Sequence, residues 1–297
     1  MWSRPVHELP GYYRSTPRRL TGRKVPRASH NLVQKALTGV QPTLTLLLPQ
    51  TVLLVGGLGT RLRSETGDLP KAMIDVNGMP FLERILIHLR SFEIESAILA
   101  VSHGRESIET HFGDGTARGM SITYTRETQP LGTAGALRQA LPLLKGDQVL
   151  VLNGDSFVDL DYRAMLRFHR ARGNPLTIAA VQRSDCRDFG RLRISNSNVV
   201  AFAEKEHRDP SAGYINAGVY VFDRQLVETI PPGVVRSLEK EVFPSILSRG
   251  DCIGAYCIQN YFMDLGTPER LQQLRVDFAQ GLVPLRGVDT LTRRSHN

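Results

Sequence analysis

The chain has 297 residues, enough for one large α/β domain or two small ones. Its composition, 41% hydrophobic and 22% charged residues, falls in the range of ordinary globular proteins. The net charge of +8 points to nucleic-acid binding at first, but residues 1–50 hold eight basic residues and one acid, so the other 247 residues sum to only +1. A nucleic-acid partner is therefore not expected.

Residues 1–50 are predicted to be a basic, disordered extension, because they are rich in Arg, Pro and Ser and show no apolar period before Leu44. An organelle transit peptide or a misassigned start site would have the same composition, and the sequence leaves both open. The most apolar run, 44–55, is interrupted by Pro49 and is shorter than the roughly 20 residues of a membrane-spanning helix. We therefore expect no membrane partner.

Three cysteines, Cys186, Cys252 and Cys257, are too few for a disulfide framework. The last two lack both CxxC spacing and the nearby histidines of a zinc site. We expect all three to be small buried residues in a reducing compartment, which favours a cytoplasmic location.

From residue 51 onward, strand and helix patterns alternate. Strands are predicted at 51–55, 97–101, 122–125 and 149–152, and helices across 81–89, 106–112 and 134–144. This order predicts an α/β fold, with a Rossmann-like, mostly parallel sheet and helices on both faces. Five more strand patterns follow, which we expect to be antiparallel, to extend the sheet and to form a lid over its edge: 176–181, 192–194, 199–202, 219–222 and 253–258. A last helix should begin at Thr267-Pro268, so that the folded domain spans 51–280 and a tail spans 281–297.

The strongest functional signal is the run Gly56-Gly57-Leu58-Gly59-Thr60-Arg61-Leu62, directly after the first predicted strand. Glycines at such a turn let backbone N–H groups approach a polyphosphate, because no Cβ is in the way. The spacing fits neither a P-loop nor the dinucleotide-binding fingerprint, in which Leu62 would be a third glycine. Arg61 and, ten residues later, Lys71 would both point at a triphosphate if the intervening loop folds back.

This run, followed by Pro70-Lys71, resembles the signature of the sugar-phosphate nucleotidyltransferases, and about residues 51–280 are similar to that family motif by motif. Val55 in place of a usual alanine, and Arg63-Ser64 where many members have a proline, are mild departures. The resemblance implies transfer of a nucleotidyl group from a nucleoside triphosphate to a sugar 1-phosphate, with release of pyrophosphate. It also implies that the nucleotide is bound by Gly56, Gly57, Gly59, Thr60 and Arg61, and that catalysis uses Arg61, Lys71 and Lys205.

A metal site is predicted from two separate aspartates. Asn153-Gly154-Asp155 follows the strand pattern 149–152, at the sheet edge where open α/β folds bind ligands, although alone it would equally be a turn. A carboxylate there can hold Mg²⁺ against phosphate oxygens. The resemblance implies this role for Asp155, and it implies that Asp264, in a segment similar to the family's late Asp-Ile-Gly-Thr-Pro motif, is the second ligand. Asp159 and Asp161 form a tempting metal-binding DxD, but we expect Asp161 to cap the next helix.

The sugar side rests on weaker signals. Glu204-Lys205 resembles the family pair in which the glutamate binds sugar hydroxyls and the lysine binds the sugar phosphate. Gly190 and Asn216 match other positions of the family's sugar pocket, so the resemblance implies that the predicted lid binds the sugar. Each of these residues alone would more often belong to a turn or a charged surface.

The base is predicted from the segment 127–135, which contains Glu127, Gly132 and Thr133. Its run 130–135 is similar to guanylyltransferases that act on mannose-type sugar phosphates. A carboxylate can accept from both adjacent donors of guanine, N1–H and the N2 amine, whereas uracil and thymine offer one donor. We therefore favour GTP, with UTP and dTTP as alternatives, unless Glu127 faces water. The stretches 76–82 and 237–244 look most like heptose 1-phosphate guanylyltransferases.

Two rival functions fit parts of this pattern. A metal-dependent glycosyltransferase also binds a nucleotide with Mg²⁺, but it has no use for a glycine loop with Arg61 and Lys71 aimed at a triphosphate. A non-catalytic nucleotide-sugar sensor would lose a charged residue, and all the charged positions are present. The sequence leaves the oligomeric state open, a homo-oligomer included.

Overall fold

The computed structural model describes residues 48–57, 62, 65, 67, 69–102, 104–203 and 211–285. The predicted extension therefore lies almost wholly outside the described residues, as does most of the predicted tail. The domain boundaries at 51 and 280 stay predictions. None of the helices in the described ranges is both long and apolar enough to span a bilayer.

The described strands form one large sheet and one small ribbon. Their bounds are β1 (Gln50–Leu54), β2 (Ser96–Val101), β3 (Ser121–Arg126), β4 (Gln148–Asn153), β5 (Ser156–Val158), β6 (Leu176–Arg183), β7 (Arg191–Ser195), β8 (Asn198–Ala203), β9 (Gly213–Asp223), β10 (Ile253–Ile258) and β11 (Phe262–Asp264). Nine of them form a sheet in the order β3-β2-β1-β4-β9-β6-β10-β8-β7, and β11 pairs with β5.

Helices cover both faces of the sheet, as predicted. Their bounds are α1 (Phe81–Arg90), α2 (Arg105–Phe112), α3 (Gly132–Ala140), α4 (Tyr162–Arg172), α5 (Arg224–Glu228), α6 (Phe243–Ser248) and α7 (Pro268–Ala279). Successive strand residues point to opposite faces, so Leu53 packs into a core with α1, α2, α4 and α7, while Val52 packs into a second core with α3, α5 and α6. A sheet buried on both faces explains why the central strands are continuous apolar runs.

The first four strands of the sheet create the place where a ligand can bind. β1 pairs in parallel with β2 on one side and with β4 on the other. The chain first adds β2 and β3 on one side of β1 and then returns to add β4 on the other. Connections that leave neighbouring parallel strands in opposite directions open a crevice at the carboxyl ends of those strands.

Beyond β4 the sheet becomes mostly antiparallel, as predicted. The prediction is wrong in part for 253–258, because β10 pairs in parallel with β6 and only its first two residues pair antiparallel with β8. β9 runs antiparallel to both β4 and β6, and β7 and β8 form an antiparallel pair at the far edge. These strands continue the main sheet. The β5–β11 ribbon was not predicted, because each of its strands has only three residues.

One local prediction is confirmed and another is wrong in part. Asp161 caps α4, since its Oδ1 accepts a hydrogen bond from the Ala164 N–H at 2.9 Å, as expected. The cysteine prediction is wrong in part: Cys186 is buried, but Cys252 and Cys257 are exposed. Cys252 lies just before β10. Cys257 lies within β10, beyond the two residues that pair with β8.

Candidate active site

A cleft of about 300 Å³ opens at the carboxyl ends of β1 and β4. Its lining comes from the ends of these two strands, from a 3₁₀ helix at Lys71–Met73, and from the segment that joins β3 to α3. The structure brings seven predicted site residues into this lining: Gly56, Gly57, Lys71, Glu127, Gly132, Thr133 and Asp155. Gly59, Thr60 and Arg61 lie outside the described residues.

The glycines in this lining have different reasons to be glycine. At Gly154, a Cβ would come within 2.3 Å of the Val55 Cγ1, because the Gly154 N–H donates to the Leu54 carbonyl at 2.9 Å. At Gly57, a Cβ would meet no described atom within 4 Å. Packing therefore explains Gly154, whereas at Gly57 the described part of the chain leaves room for a ligand to approach the backbone.

Lys71 and Asp155 face each other in the cleft. The Lys71 Nζ donates to the Asp155 Oδ2 at 2.7 Å, and the two side chains are 15% and 40% exposed. Pro70 immediately precedes the 3₁₀ helix that carries Lys71. The predicted triphosphate-binding lysine and the predicted metal ligand thus pair with one another. An anionic ligand that binds together with a cation can replace this pair, because the anion can bind Lys71 and the cation can bind Asp155.

Asp264 lies beside Asp155 although the two are far apart in the sequence. In the β5–β11 ribbon Asp264 is opposite Ser156, and the Leu265 N–H donates to the Asp155 carbonyl at 2.8 Å. The Asp264 carboxylate is buried, and its Oδ1 accepts from the Gly266 N–H at 3.1 Å and from the Arg270 Nη1 at 2.8 Å. Asp264 itself does not line the cleft described above.

These two carboxylates fit a magnesium ion better than a structural metal. Magnesium is usually held by one or two protein carboxylates and completes its coordination with water and substrate phosphates. A closed structural site would need about four protein ligands. Among the described residues there is no group of three or more metal-ligating side chains. Two carboxylates such as Asp155 and Asp264 therefore suit an ion shared with a phosphate ligand better than a closed structural site.

Glu127 is buried in the cleft, so the alternative that it faces water is excluded. Its Oε2 accepts a hydrogen bond from the Leu131 N–H at 3.4 Å and would lie 3.6 Å from a Cβ at Gly56. Burial raises the pKa of the Glu127 carboxyl, and hydrogen bonds from Leu131 and Ser102 partly offset that shift. The carboxylate thus supports its own loop and also borders the space next to the glycines.

The start of α3 is fixed by a distant segment. Gly132 has a φ of +72°, and a Cβ there would come within 2.4 Å of the Arg236 carbonyl, which accepts from the Ala134 N–H. Thr133 accepts from the Leu238 N–H at 2.8 Å and donates to the Glu239 Oε2 at 3.0 Å. Both predicted nucleotide residues therefore also have a structural role.

Glu239 belongs to a π-helix, Leu238–Val242, a conformation often found at functional sites. Besides Thr133, its carboxylate accepts from the Ser237 hydroxyl at 3.0 Å and from the Tyr220 hydroxyl at 3.3 Å. In the sequence, the stretch 237–244 is recognisable only by its resemblance, which gives Glu239 and Tyr220 no role. No local pattern predicts that β9 and the π-helix meet at this point.

On the predicted sugar side, Gly190 and Asn216 are in contact. The Asn216 N–H donates to the Gly190 carbonyl at 2.8 Å, and the Asn216 amide donates to the Tyr220 hydroxyl at 2.9 Å. The amide oxygen of Asn216 accepts from the Gly218 N–H. Burial raises the pKa of Tyr220 well above its usual value, and the charge of Glu239 adds to the shift. Glu204 and Lys205 lie outside the described residues.

Comparison with known proteins places the whole described domain in one family. The model of the nucleotidyl transferase family matches residues 50–281. The mannose-1-phosphate guanylyltransferase of Mycobacterium tuberculosis is 41% identical over 241 residues, which cover 80% of this chain and 67% of that one. The D-glycero-alpha-D-manno-heptose 1-phosphate guanylyltransferase of Aneurinibacillus thermoaerophilus is 34% identical over 220 residues, or 74% of this chain and 94% of that one.

Solved structures agree with this assignment. The crystal structure of HddC from Yersinia pseudotuberculosis complexed with GMP-PN has a TM-score of 0.70 and 30% identity, and the match covers 78% of this chain and all of that chain. A putative glucose-1-phosphate thymidylyltransferase from Bacillus anthracis, 21% identical, shares the fold with a TM-score of 0.68. The chain therefore belongs to the nucleotidyl transferase family.

Proposed function

We propose that this nucleotidyl transferase moves the guanylyl group of GTP to the phosphate of a mannose-type hexose or heptose 1-phosphate and releases pyrophosphate. The observation that carries the proposal is the cleft itself, where Gly57, Lys71, Glu127 and Asp155 meet at the carboxyl ends of β1 and β4. The guanylyltransferase relatives support the choice of base and of sugar class.

The reaction needs one bond to form and one to break. An oxygen of the sugar phosphate attacks the α-phosphorus of GTP, and the bond between the α-phosphorus and its bridging oxygen breaks, so that pyrophosphate leaves with the electron pair. A phosphate monoester is already anionic near neutral pH, so no general base is required. Catalysis of this kind depends mainly on positioning and on neutralising negative charge.

Positioning and charge neutralisation are assigned to different residues of the site. In the proposal, the backbone at Gly56 and Gly57 approaches the phosphates, and Lys71 leaves Asp155 to pair with them. Arg61, Gly59 and Thr60 would complete the loop, on the evidence of the sequence motif. Asp155 and Asp264 would hold Mg²⁺, which when bound supplies positive charge to the phosphates of both substrates.

Glu127 is proposed to select the base. Its buried carboxylate borders the space beside Gly56 and can accept from both N1–H and the N2 amine of guanine. Gly132 and Thr133 would shape the same subsite through the start of α3. On the other side, Gly190 and Asn216, together with Glu204 and Lys205, are proposed to bind the sugar phosphate, with Lys205 on its phosphate.

A substrate panel tests this function. The full-length protein would be incubated with GTP, UTP or dTTP and with mannose, heptose or glucose 1-phosphate in Mg²⁺, with pyrophosphate release as the readout. We expect release only when both substrates are present, with GTP preferred, and no release in excess EDTA. A preference for UTP or dTTP would refute the assignment of the base. A glycosyltransferase would instead consume a nucleotide sugar without releasing pyrophosphate.

A further inference from the structure

Arg270 stands in an unusual place for a basic residue. It is the third residue of α7, and its N–H donates to the capping Thr267 hydroxyl at 3.4 Å. The first turn of a helix carries a partial positive charge, so a cation there is electrostatically unfavourable unless other groups compensate. The compensation comes from two carboxylates outside the helix.

The guanidinium of Arg270 bridges Asp264 and Asp188. Its Nη1 lies 2.8 Å from the Asp264 Oδ1, and its Nη2 lies 2.7 Å from the Asp188 Oδ2. The same group stacks on the ring of Phe189, with 4.2 Å between the guanidinium carbon and the ring centroid. Arg270 and Asp264 are 17% and 11% exposed, whereas Asp188 is 56% exposed, so the Asp264 half of the bridge is the better shielded from water.

The bridge fixes the rotation of the Asp264 carboxylate. Arg270 and the Gly266 N–H both donate to Oδ1, and within the described ranges no donor bonds Oδ2. Arg183 lies close enough to Asp264 to feel its charge, but its guanidinium donates to the Phe262 carbonyl. A side chain held by one oxygen presents the other in a defined direction, which is how outer residues orient metal ligands.

The other half of the bridge reaches the predicted sugar pocket. Asp188 and Phe189 directly precede Gly190, whose carbonyl accepts from the Asn216 N–H at 2.8 Å. Contacts therefore run from Asp264 through Arg270 and Phe189 to Gly190 and Asn216. A change in the position of Arg270 would therefore affect both the Asp264 carboxylate and the Gly190 segment.

We propose that Arg270 is a positioning residue that orients Asp264 for the metal ion and holds the Gly190 segment against it. The inference rests on the proposed function, because it assigns Asp264 to the metal and Gly190 to the sugar. It predicts that metal binding and sugar-phosphate binding are coupled through one side chain. It also predicts that removing a positive charge next to Asp264 weakens cation binding, the reverse of the simple electrostatic effect.

Three substitutions separate the two halves of the bridge. Arg270→Gln removes both ion pairs, Arg270→Lys keeps a cation that can satisfy only one carboxylate, and Asp188→Asn cuts the exposed half alone. Arg187→Gln is the matched control, since Arg187 lies in the same segment and pairs with Asp185 at the surface. Mn²⁺ binding in the presence of GTP would be measured by electron paramagnetic resonance, alongside the KM for GTP and for mannose 1-phosphate and thermal unfolding of each variant.

Arg270→Gln should weaken Mn²⁺ binding by about 10- to 100-fold, as for other residues that orient a metal ligand. It should also raise the KM for mannose 1-phosphate more than that for GTP. Asp188→Asn should raise the KM for mannose 1-phosphate by about two- to fivefold, the size of an exposed ion pair, with Mn²⁺ binding unchanged. Arg270→Lys should lie between them, and Arg187→Gln should match the wild type.

Other outcomes overturn the inference. Mn²⁺ binding by Arg270→Gln that is equal to or tighter than that of the wild type would mean that the guanidinium is only structural or competes with the metal. If Arg270→Gln fails to fold, Arg270→Lys and Asp188→Asn provide the test. An equal ratio of the KM for mannose 1-phosphate to the KM for GTP in these two variants would contradict the coupling. A wild type that releases no pyrophosphate from GTP would instead refute the proposed function, which keeps the two failures distinct.

Discussion

The proposed nucleotide side and the proposed sugar side of the active site are built differently. At the ends of β1 and β4, Gly57 borders space that no described residue fills, and Lys71 pairs with Asp155. The nucleotide residues near α3 differ, because Glu127 and Thr133 also bond to backbone groups of the protein. On the sugar side, Asn216 already bonds to Tyr220 and Gly218, and the predicted metal ligand Asp264 bonds to Arg270. The residues at the ends of β1 and β4 can exchange their partners for a ligand's groups, whereas the sugar side is fixed in advance by internal hydrogen bonds.

This difference has a consequence for mutations. A residue at the ends of β1 and β4, such as Lys71, should affect binding or rate directly and stability little, because it supports few other groups. A residue on the sugar side should affect stability as well, because removing it leaves buried partners without a hydrogen bond.

The largest effects are expected at the two proposed metal ligands, one on each side. Asp155→Asn and Asp264→Asn should each lower kcat at least about 100-fold, the upper end of the loss typical of residues that only support a ligand. Asp264→Asn should in addition lower the melting temperature, because Arg270 loses a largely buried partner, whereas the half-exposed Asp155 should matter less to stability. Steady-state kinetics and thermal unfolding measure both.

The control for these variants is Asp159→Asn, a nearby carboxylate whose Oδ2 accepts from the Asn260 amide at 3.2 Å. It should keep normal turnover, since we assign it no metal. Normal turnover in Asp264→Asn would remove that residue from the metal site and make it a purely structural one.

The next effect is expected at Glu127. Glu127→Gln should lower kcat/KM for GTP by about 10- to 100-fold relative to UTP, because an amide cannot accept from both donors of guanine. Kinetics with the three triphosphates would show the preference narrowing. An equal loss for every triphosphate would mean that Glu127 supports the loop at Leu131 and does not contact the base.

The substitution Glu127→Gln, which should lower the activity with GTP, should raise the stability of the protein at neutral pH. Its pKa is raised above the usual 4.5 by burial, so the folded protein holds this proton more tightly than the unfolded chain. The stability that the protonated group supplies is present below pH 4.5 and is lost as pH rises through the raised pKa. Glu127→Gln should therefore raise the melting temperature at neutral pH and should have little effect at pH 4. A lower melting temperature at neutral pH would contradict this.

A smaller effect is expected at Tyr220, between the two sides. Tyr220→Phe leaves Glu239 and Asn216 without a shared hydroxyl and should cost about 1–2 kcal/mol of unfolding free energy. Denaturant unfolding measures this, with Tyr256→Phe, a half-buried tyrosine on β10, as the control. The KM for the sugar phosphate should rise severalfold and that for GTP less, if Asn216 contacts the sugar. A larger change for GTP would place Asn216 on the nucleotide side.

The same contrast explains what the sequence could predict. The parallel half follows from apolar strands that alternate with helices, and its cleft residues are contiguous motifs at strand ends, such as Gly56-Gly57 and Asn153-Gly154-Asp155. The Asp161 cap is likewise local. The contacts of Glu239 with Thr133 and of Arg270 with Asp188 were missed because they join segments far apart in the chain. Arg270 also bonds to Asp264, six residues earlier, but no local pattern reveals that partner. Arg270 carried one signal, a basic residue in the first turn of a helix.

The smallest effect is expected when the amino-terminal extension is removed. Nearly all of the net positive charge of the chain lies in this extension. The family match begins at residue 50, the first residue of β1. Deleting residues 1–45 should therefore leave the melting temperature and kcat/KM unchanged. Deleting 1–49 is the matched comparison, because it also removes Leu48, which packs against the core. Full burial of a leucine side chain contributes about 1.5–3 kcal/mol, and the partly buried Leu48 should contribute less, so the longer deletion should lower the melting temperature modestly while the shorter one does not. A large loss in the shorter deletion would show that the extension is part of the folded domain.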